Sequence, residues 1–164
     1  MGAAGKIGKT NAMRLLEQRG VPYELLEYDI SDGLLDACSM ARKIGRSTDQ
    51  VFKTLVTTSG PGEFFVFVVP GSGELDLKSA ARTAGRKKIE MIPLKTLFPL
   101  TGYIHGGCSP VGMKKLFPTF FDETAQLFDR ICVSGGKIGY AISVDPMLLV
   151  PLVNGSFADL TSKT

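Results

Sequence analysis

Apolar and polar positions along the chain change period several times, and the changes divide it into short elements. Ala12, Leu15 and Leu16 recur at helical spacing behind Thr10, a residue suited to capping, and ahead of Gly20. The pattern predicts a helix from Thr10 to about Arg19. Pro22 leads into a predicted strand, Tyr23 to Tyr28, followed by a polar turn at Ser31-Asp32-Gly33. A second helix is expected over Cys38 to Ile44, stopped by Gly45. Val51 to Thr58 and Phe64 to Val69 are β-branched and aromatic runs on either side of Gly60-Pro61-Gly62, which reads as a hairpin. An alanine-rich helix, Leu77 to Ala84, sits between Asp76 and Gly85.

Further on, Lys88 to Ile92 predicts a short strand, and Leu94 to Leu97 a helical turn before Pro99. Gly102 to Gly112 breaks any regular pattern. Phe120 and Phe121 suggest a strand. Ile131 to Ser134 and Ile138 to Val144 read as strands joined by a two-residue turn at Gly135-Gly136. Pro146 opens a last helix, to about Val153. Helices and hairpins are interspersed without regular βαβ alternation. The expected class is therefore α+β: a single domain with a mixed, largely antiparallel sheet or partial barrel flanked by helices. The domain is expected over residues 9–164, behind a flexible tail at 1–8.

One residue conflicts with its surroundings. In Val51-Phe52-Lys53-Thr54-Leu55-Val56, Lys53 shares a strand face with Val51 and Leu55, and the other face is also mostly apolar. A lysine there either snorkels to an edge or points into a polar cavity, because an unpaired buried ammonium costs several kcal/mol. Gly106-Gly107-Cys108-Ser109-Pro110-Val111-Gly112 is a second candidate. Its backbone can approach a ligand closely, its amides can cradle an anion or oxyanion, and Ser109 adds a hydroxyl; a plain tight loop is the alternative. No Gly-Lys-Ser/Thr closes it, so it is not a P-loop. His105 and Cys108 form a conceivable nucleophile pair without an evident orienting carboxylate or amide. Ser134-Gly135-Gly136-Lys137 reads as a hairpin that can also offer Ser134 and two amides to a pocket rim.

Composition narrows the function classes. Lys and Arg number 19 against 16 Asp and Glu, a net charge of +3, which permits a nucleic-acid partner without requiring one. Basic residues gather at Arg82, Arg86, Lys87 and Lys88 and again at Lys114 and Lys115. These are solvated surface or, alternatively, a phosphate-contacting rim. Cys38, Cys108 and Cys132 are widely spaced and form no CxxC pair, which fits neither a disulfide framework nor a zinc site and suits a reducing, cytoplasmic setting. A single histidine and unclustered carboxylates predict no metal site, and no cofactor motif is present. No apolar run approaches the roughly 18 residues of a membrane span. Met1-Gly2 is followed by Lys6 where a myristoylation signal has Ser or Thr.

Taken in order, Val51-Phe52-Lys53-Thr54-Leu55, Thr101-Gly102-Tyr103, the Gly106 to Gly112 segment and Val133-Ser134-Gly135-Gly136-Lys137 resemble the YbaK/EbsC family of aminoacyl-tRNA deacylases. These are related to the editing domain of bacterial prolyl-tRNA synthetase. Thr10-Asn11-Ala12 and Tyr28-Asp29 add to the resemblance, which extends from about Lys9 to Leu160.

The resemblance implies a free-standing editing factor that clears cysteine from tRNA carrying the proline anticodon. Its partners would be the acceptor end of an aminoacyl-tRNA and prolyl-tRNA synthetase, with no membrane. It implies catalytic roles for Lys53, Gly106 and Gly107, and pocket roles for Tyr28 and Tyr103. Ser109, Ser134, Gly135 and Gly136 complete the expected substrate contacts. It further implies that the substrate's own thiol attacks its carbonyl, so that the protein supplies position and electrostatics. Relatives often carry an aromatic just before the second helix, where this chain has Leu35 and Asp36. The alternatives are a deacylase for misacylated alanyl- or seryl-tRNA, a Cys108/His105 esterase, and a non-catalytic tRNA- or synthetase-binding module.

Overall fold

The computed structural model describes residues 8–162, and the tail expected at 1–8 lies outside the described residues except for Gly8. Helix α1 (Asn11–Gln18) starts on Thr10, whose hydroxyl accepts the Met13 N–H at 3.2 Å. Its buried face is Ala12, Met13 and Leu16. Helix α2 (Ala37–Ile44) starts on Asp36, whose carboxylate accepts the Ser39 N–H, and α3 (Leu77–Ala84) on Asp76, whose carboxylate accepts the Lys78 and Ser79 N–H groups. Both end on a glycine in the left-handed region, Gly45 and Gly85. The expected turn at Leu94 to Leu97 is longer than predicted. A 3-10 turn, Leu94–Thr96, runs into α4 (Leu97–Thr101), with Pro99 inside it. Pro99 is tolerated because it sits in the first turn, where an N–H has no intrahelical partner to lose. Helix α5 (Pro146–Leu152) has Pro146 at its first position.

The strands form two sheets rather than one, and neither closes into a barrel. β1 (Tyr23–Glu27), β7 (Tyr140–Val144) and β6 (Ile131–Ser134) make an antiparallel sheet in the order β1-β7-β6. The other sheet has the order β4-β2-β3-β5-β8, from β2 (Phe52–Gly60), β3 (Glu63–Pro70), β4 (Glu90–Met91), β5 (Thr119–Asp122) and β8 (Ser156–Ala158). β2 pairs antiparallel with β3 and β4, while β3–β5 and β5–β8 are parallel. The β6–β7 connection is not the predicted two-residue turn. β7 begins at Tyr140, not Ile138, and the link spans 135–139.

Two layers of apolar side chains explain the continuous run in β3. Val66 and Val68 face the main core with Phe52, Val56, Phe121, Val133, Ile142 and Leu149. Phe65, Phe67 and Val69 face the other way, against Ala80 and Ala81 of α3. A strand covered on both faces needs no polar alternation. The sheets meet where Val51 bridges Cys132 in parallel, with the Cys132 N–H bonded to Gln50 O at 3.0 Å. Both residues are fully buried. The loop from β1 to α2 is pinned by Lys43, whose ammonium donates to Asp29 O at 2.8 Å, the Asp32 carboxylate at 2.7 Å and Leu34 O at 3.1 Å.

Arg86, just past α3, fastens that helix to the β2–β3 hairpin. Its Nε and a terminal nitrogen each lie 2.7 Å from a Glu63 carboxylate oxygen, a bidentate pair. The arginine, helped by the Ser59 hydroxyl, pulls the Glu63 carboxyl down to about 2. A depressed acid pKa stabilises the fold fully above the ordinary carboxylate range and is lost as pH falls toward that depressed value. Arg86→Ala should return Glu63 to the ordinary range in an NMR pH titration. The stability difference between this variant and wild type should shrink as pH falls from about 5 to about 2. An unchanged Glu63 titration would show that the pair does not set it.

Candidate active site

At the corner where the sheets join lies a cavity of about 390 Å³, within the range usual for small-molecule sites. The start of β2 supplies Phe52, Lys53, Thr54 and Leu55. The approach to α2 and its first turns supply Leu35, Asp36, Ala37, Cys38 and Met40. Gly71 and Glu74 come from the loop after β3, Leu97 from α4, His105, Gly106 and Cys108 from the glycine segment, and Ser134 from the end of β6.

Lys53 pairs with Val69 in the β2–β3 register and leaves the sheet on the face of Leu55. Its side chain keeps 26% of its surface exposed, so the stem lies in the wall while the ammonium reaches the opening. The nearest carboxylate is Glu74, at 3.9 Å and with 87% of its side chain exposed. A pair that long with so exposed a partner contributes little, and it leaves the Lys53 charge available to a ligand. Thr54 Oγ1, next along the strand, is buried without a hydrogen-bond partner, as is the Tyr28 hydroxyl.

The glycine segment turns at Ile104 to Gly107, where the Gly107 N–H donates to Ile104 O at 2.9 Å. Gly106 is the third residue of that turn with φ +88°, a conformation that favours glycine. A Cβ on it would also lie 3.2 Å from Leu35 Cβ, so Leu35 packs directly on the turn. Gly107 faces the β6–β7 link, where a Cβ would meet Ile138 N at 2.9 Å. Its amide is committed to the turn.

Most of the other predicted residues stand behind the wall, and Ser134 lines it. The Tyr103 hydroxyl donates to Val111 O at 2.6 Å, and buried Ser109 accepts the Val111 N–H at 3.3 Å. A Cβ on Gly136 would lie 3.0 Å from the Tyr103 ring, and Gly135 O accepts the Thr10 hydroxyl at 2.6 Å. Ser134 lines the cavity and accepts the Gly136 N–H at 3.2 Å. Tyr28 packs with Met40, Val51 and Cys132, and burial raises its hydroxyl pKa. Of the predicted site residues, the cavity thus brings together Lys53, Gly106 and Ser134. Tyr28, Tyr103, Gly107, Ser109, Gly135 and Gly136 hold those walls in place.

His105 and Cys108 both line the cavity. Burial pushes the Cys108 thiol up to about 12, against a smaller lowering by the Thr101 hydroxyl. The neutral thiol this enforces is a poor nucleophile. Cys38 is exposed, and its thiol lies 3.4 Å from Gly71 O. Sequence reasoning did not foresee Cys38, Met40, Thr54, Gly71, Glu74 and Leu97 as cavity residues. Thr54 alone carried a signal, as the neighbour of Lys53 on an interior strand.

The chain is similar to known proteins over most of its length. The sequence profile of the aminoacyl-tRNA editing domain matches residues 33–150. A protein of Enterococcus faecalis bearing the provisional name Cys-tRNA(Pro)/Cys-tRNA(Cys) deacylase EbsC is 49% identical over 155 residues, 94% of each chain. A crystal structure of a provisionally assigned trans-editing enzyme for prolyl tRNA synthetase superposes with TM-score 0.82 at 27% identity, covering 93% of this chain and 95% of the other. Another, of a hypothetical protein 22% identical, shares the fold with TM-score 0.84 over 93% of this chain and 99% of its own. The cavity at the sheet junction lies largely within the profile's span, and the chain belongs to the aminoacyl-tRNA editing domain family.

Proposed function

We propose that this chain is a free-standing deacylase that releases cysteine mischarged onto tRNA(Pro), acting in the cytoplasm behind prolyl-tRNA synthetase. The observation that carries the reading is Lys53, a weakly paired cation in a largely apolar cavity beside the Gly106 turn and a thiol held neutral. The names borne by its relatives support the substrate.

Leu35, Met40, Phe52, Leu55 and Leu97 give the cavity an apolar lining suited to a small side chain. Lys53 at the opening suits the terminal ribose and its phosphate and stabilises charge developing on the ester. The Gly106 turn sets the backbone against which the aminoacyl group rests. The substrate thiol attacks the ester carbonyl. The S–C bond forms as the C–O bond to the ribose breaks, and the thiol proton passes to the departing ribose oxygen. The products are free tRNA and a cyclic thioester that water then opens to cysteine. The protein contributes orientation and electrostatics and forms no covalent bond.

Charged cysteinyl-tRNA(Pro), incubated with the protein, should lose its amino acid, and Lys53→Ala should lower kcat/KM by about 100-fold. Intact ester in the wild-type reaction would sink the reading. tRNA charged with 2-aminobutyrate, which lacks the thiol, should survive; rapid cleavage would require an activated water instead. Cys108→Ser should keep at least half the wild-type rate, because a thiol titrating near 12 is not the nucleophile. Its inactivation would restore the Cys108/His105 esterase.

A further inference from the structure

Outside the cavity, Phe98 of α4 leaves a large aromatic ring in solvent, 55% exposed, and Leu94 one turn earlier is 63% exposed. Exposed apolar side chains are ordinary singly; two on one short helical segment beside a site are not. The ring is also held in a particular setting. Lys114 Nζ stands 5.4 Å from its centroid and 3.3 Å from Pro99 O. The Lys114 N–H donates to Thr101 O at 3.0 Å, and its stem packs over Gly102. Ring and ammonium are thus fixed to the same five-residue helix. The preceding residue, Leu97, lines the cavity.

The chain on either side of the ring carries charge of one sign. From Met91 to Phe121 the chain carries Lys95, Lys114 and Lys115 and no aspartate or glutamate. All three lysines are exposed. An apolar patch alone suits a protein partner as well as a base. An aromatic ring with a fixed cation, in a stretch free of carboxylate, suits an unpaired nucleotide, whose base stacks on the ring while its phosphate meets the lysines.

We infer that Phe98 and Lys114 form a stacking platform for an unpaired nucleotide of the RNA strand whose aminoacylated end occupies the cavity. The inference rests on the proposed deacylase reading and adds where the strand leaves the site. A duplex does not satisfy it, because paired bases present no free face.

The test uses the full chain and a fluorescent single-stranded RNA ending in CCA, followed by anisotropy. Phe98→Ala should weaken binding about tenfold. Phe98→Trp should retain it, and Phe98→Leu, which keeps apolar area without a π face, should behave as the alanine variant. Lys114→Gln should flatten the log–log salt dependence by about 0.7. With charged tRNA, Phe98→Ala should raise KM and leave kcat unchanged, while cleavage of the minimal ester 3′-O-cysteinyl-adenosine stays at the wild-type rate. Undetectable RNA binding by wild type, wild-type binding by Phe98→Ala, or wild-type binding by Phe98→Leu would each overturn the platform, the last pointing to an apolar protein contact. Failure of the wild-type protein to deacylate cysteinyl-tRNA would count against the enzymatic reading, and the anisotropy series would still decide the platform.

Discussion

The parallel bridge between Val51 and Cys132 is the constraint on which the site depends. Without it the two sheets would share a core but no edge, and no fixed corner would exist. With it, the first residues of β2 and the last of β6 emerge side by side. Phe52 turns into the main core, Lys53 to the other face, and Ser134 reaches the same cavity from β6. Gly71 closes the corner, its N–H donating to Val51 O at 2.6 Å. A Cβ on Gly71 would stand 3.0 Å from Ala37 Cβ, so α2 lies tight against the junction. The helix that carries Cys38 and Met40 into the wall is therefore located by the same few atoms that join the sheets.

This geometry explains how an interior strand tolerates a lysine. Lys53 stands at the end of β2 far from the β4 pairing, which engages only Thr57 and Thr58. Its neighbours on that face are Leu55, which packs toward α3, and the opening of the cavity. Two residues farther along, Leu55 packs against the cluster that holds Ala80 and Ala81 of α3, where an ammonium would meet apolar side chains. At its actual position the stem is covered and the charge stays partly solvated. The site thus combines a weakly paired cation with a neutral thiol and apolar walls, which favours orientation and charge stabilisation over nucleophilic attack by the protein.

Local signals made most of the fold legible. Thr10, Asp76 and Pro146 mark helix starts through short-range hydrogen bonds or a preset φ, and Gly45 and Gly85 mark ends through the left-handed conformation, whereas the Asp36 cap emerged only in the structure. Long-range features were not legible. β8 is three residues of mixed polarity, defined by its partner Phe120–Asp122 rather than by its own pattern. The division into two sheets depends on pairings such as Leu25 with Ile142, far apart in the chain. The glycine runs stood out for the wrong physical reason in part. Gly106 serves a turn on the cavity, but Gly107 is small because Ile138 and Lys137 crowd it, and Gly136 combines a left-handed φ of +95° with crowding by Thr10 and Tyr103. Lys53 stood out because a single charge against a binary pattern needs no tertiary information to be noticed.

A small apolar cavity has limited power to choose among small amino acids. Alanine occupies any space that admits cysteine, and one missing heavy atom changes binding by only about 1–3 kcal/mol. An enzyme that supplied its own nucleophile or activated water would therefore cleave correctly charged tRNA at a substantial fraction of its rate on the mischarged form. Under the proposed chemistry the burden shifts. A side chain that cannot form the S–C bond can bind and leave unharmed, so selectivity resides in the reaction step and not in the fit. The neutral, half-buried state of Cys108 then has a second consequence: a thiolate on the cavity wall would offer a competing nucleophile to every ester that entered. Keeping that thiol protonated by burial preserves the dependence on the substrate's own sulfur.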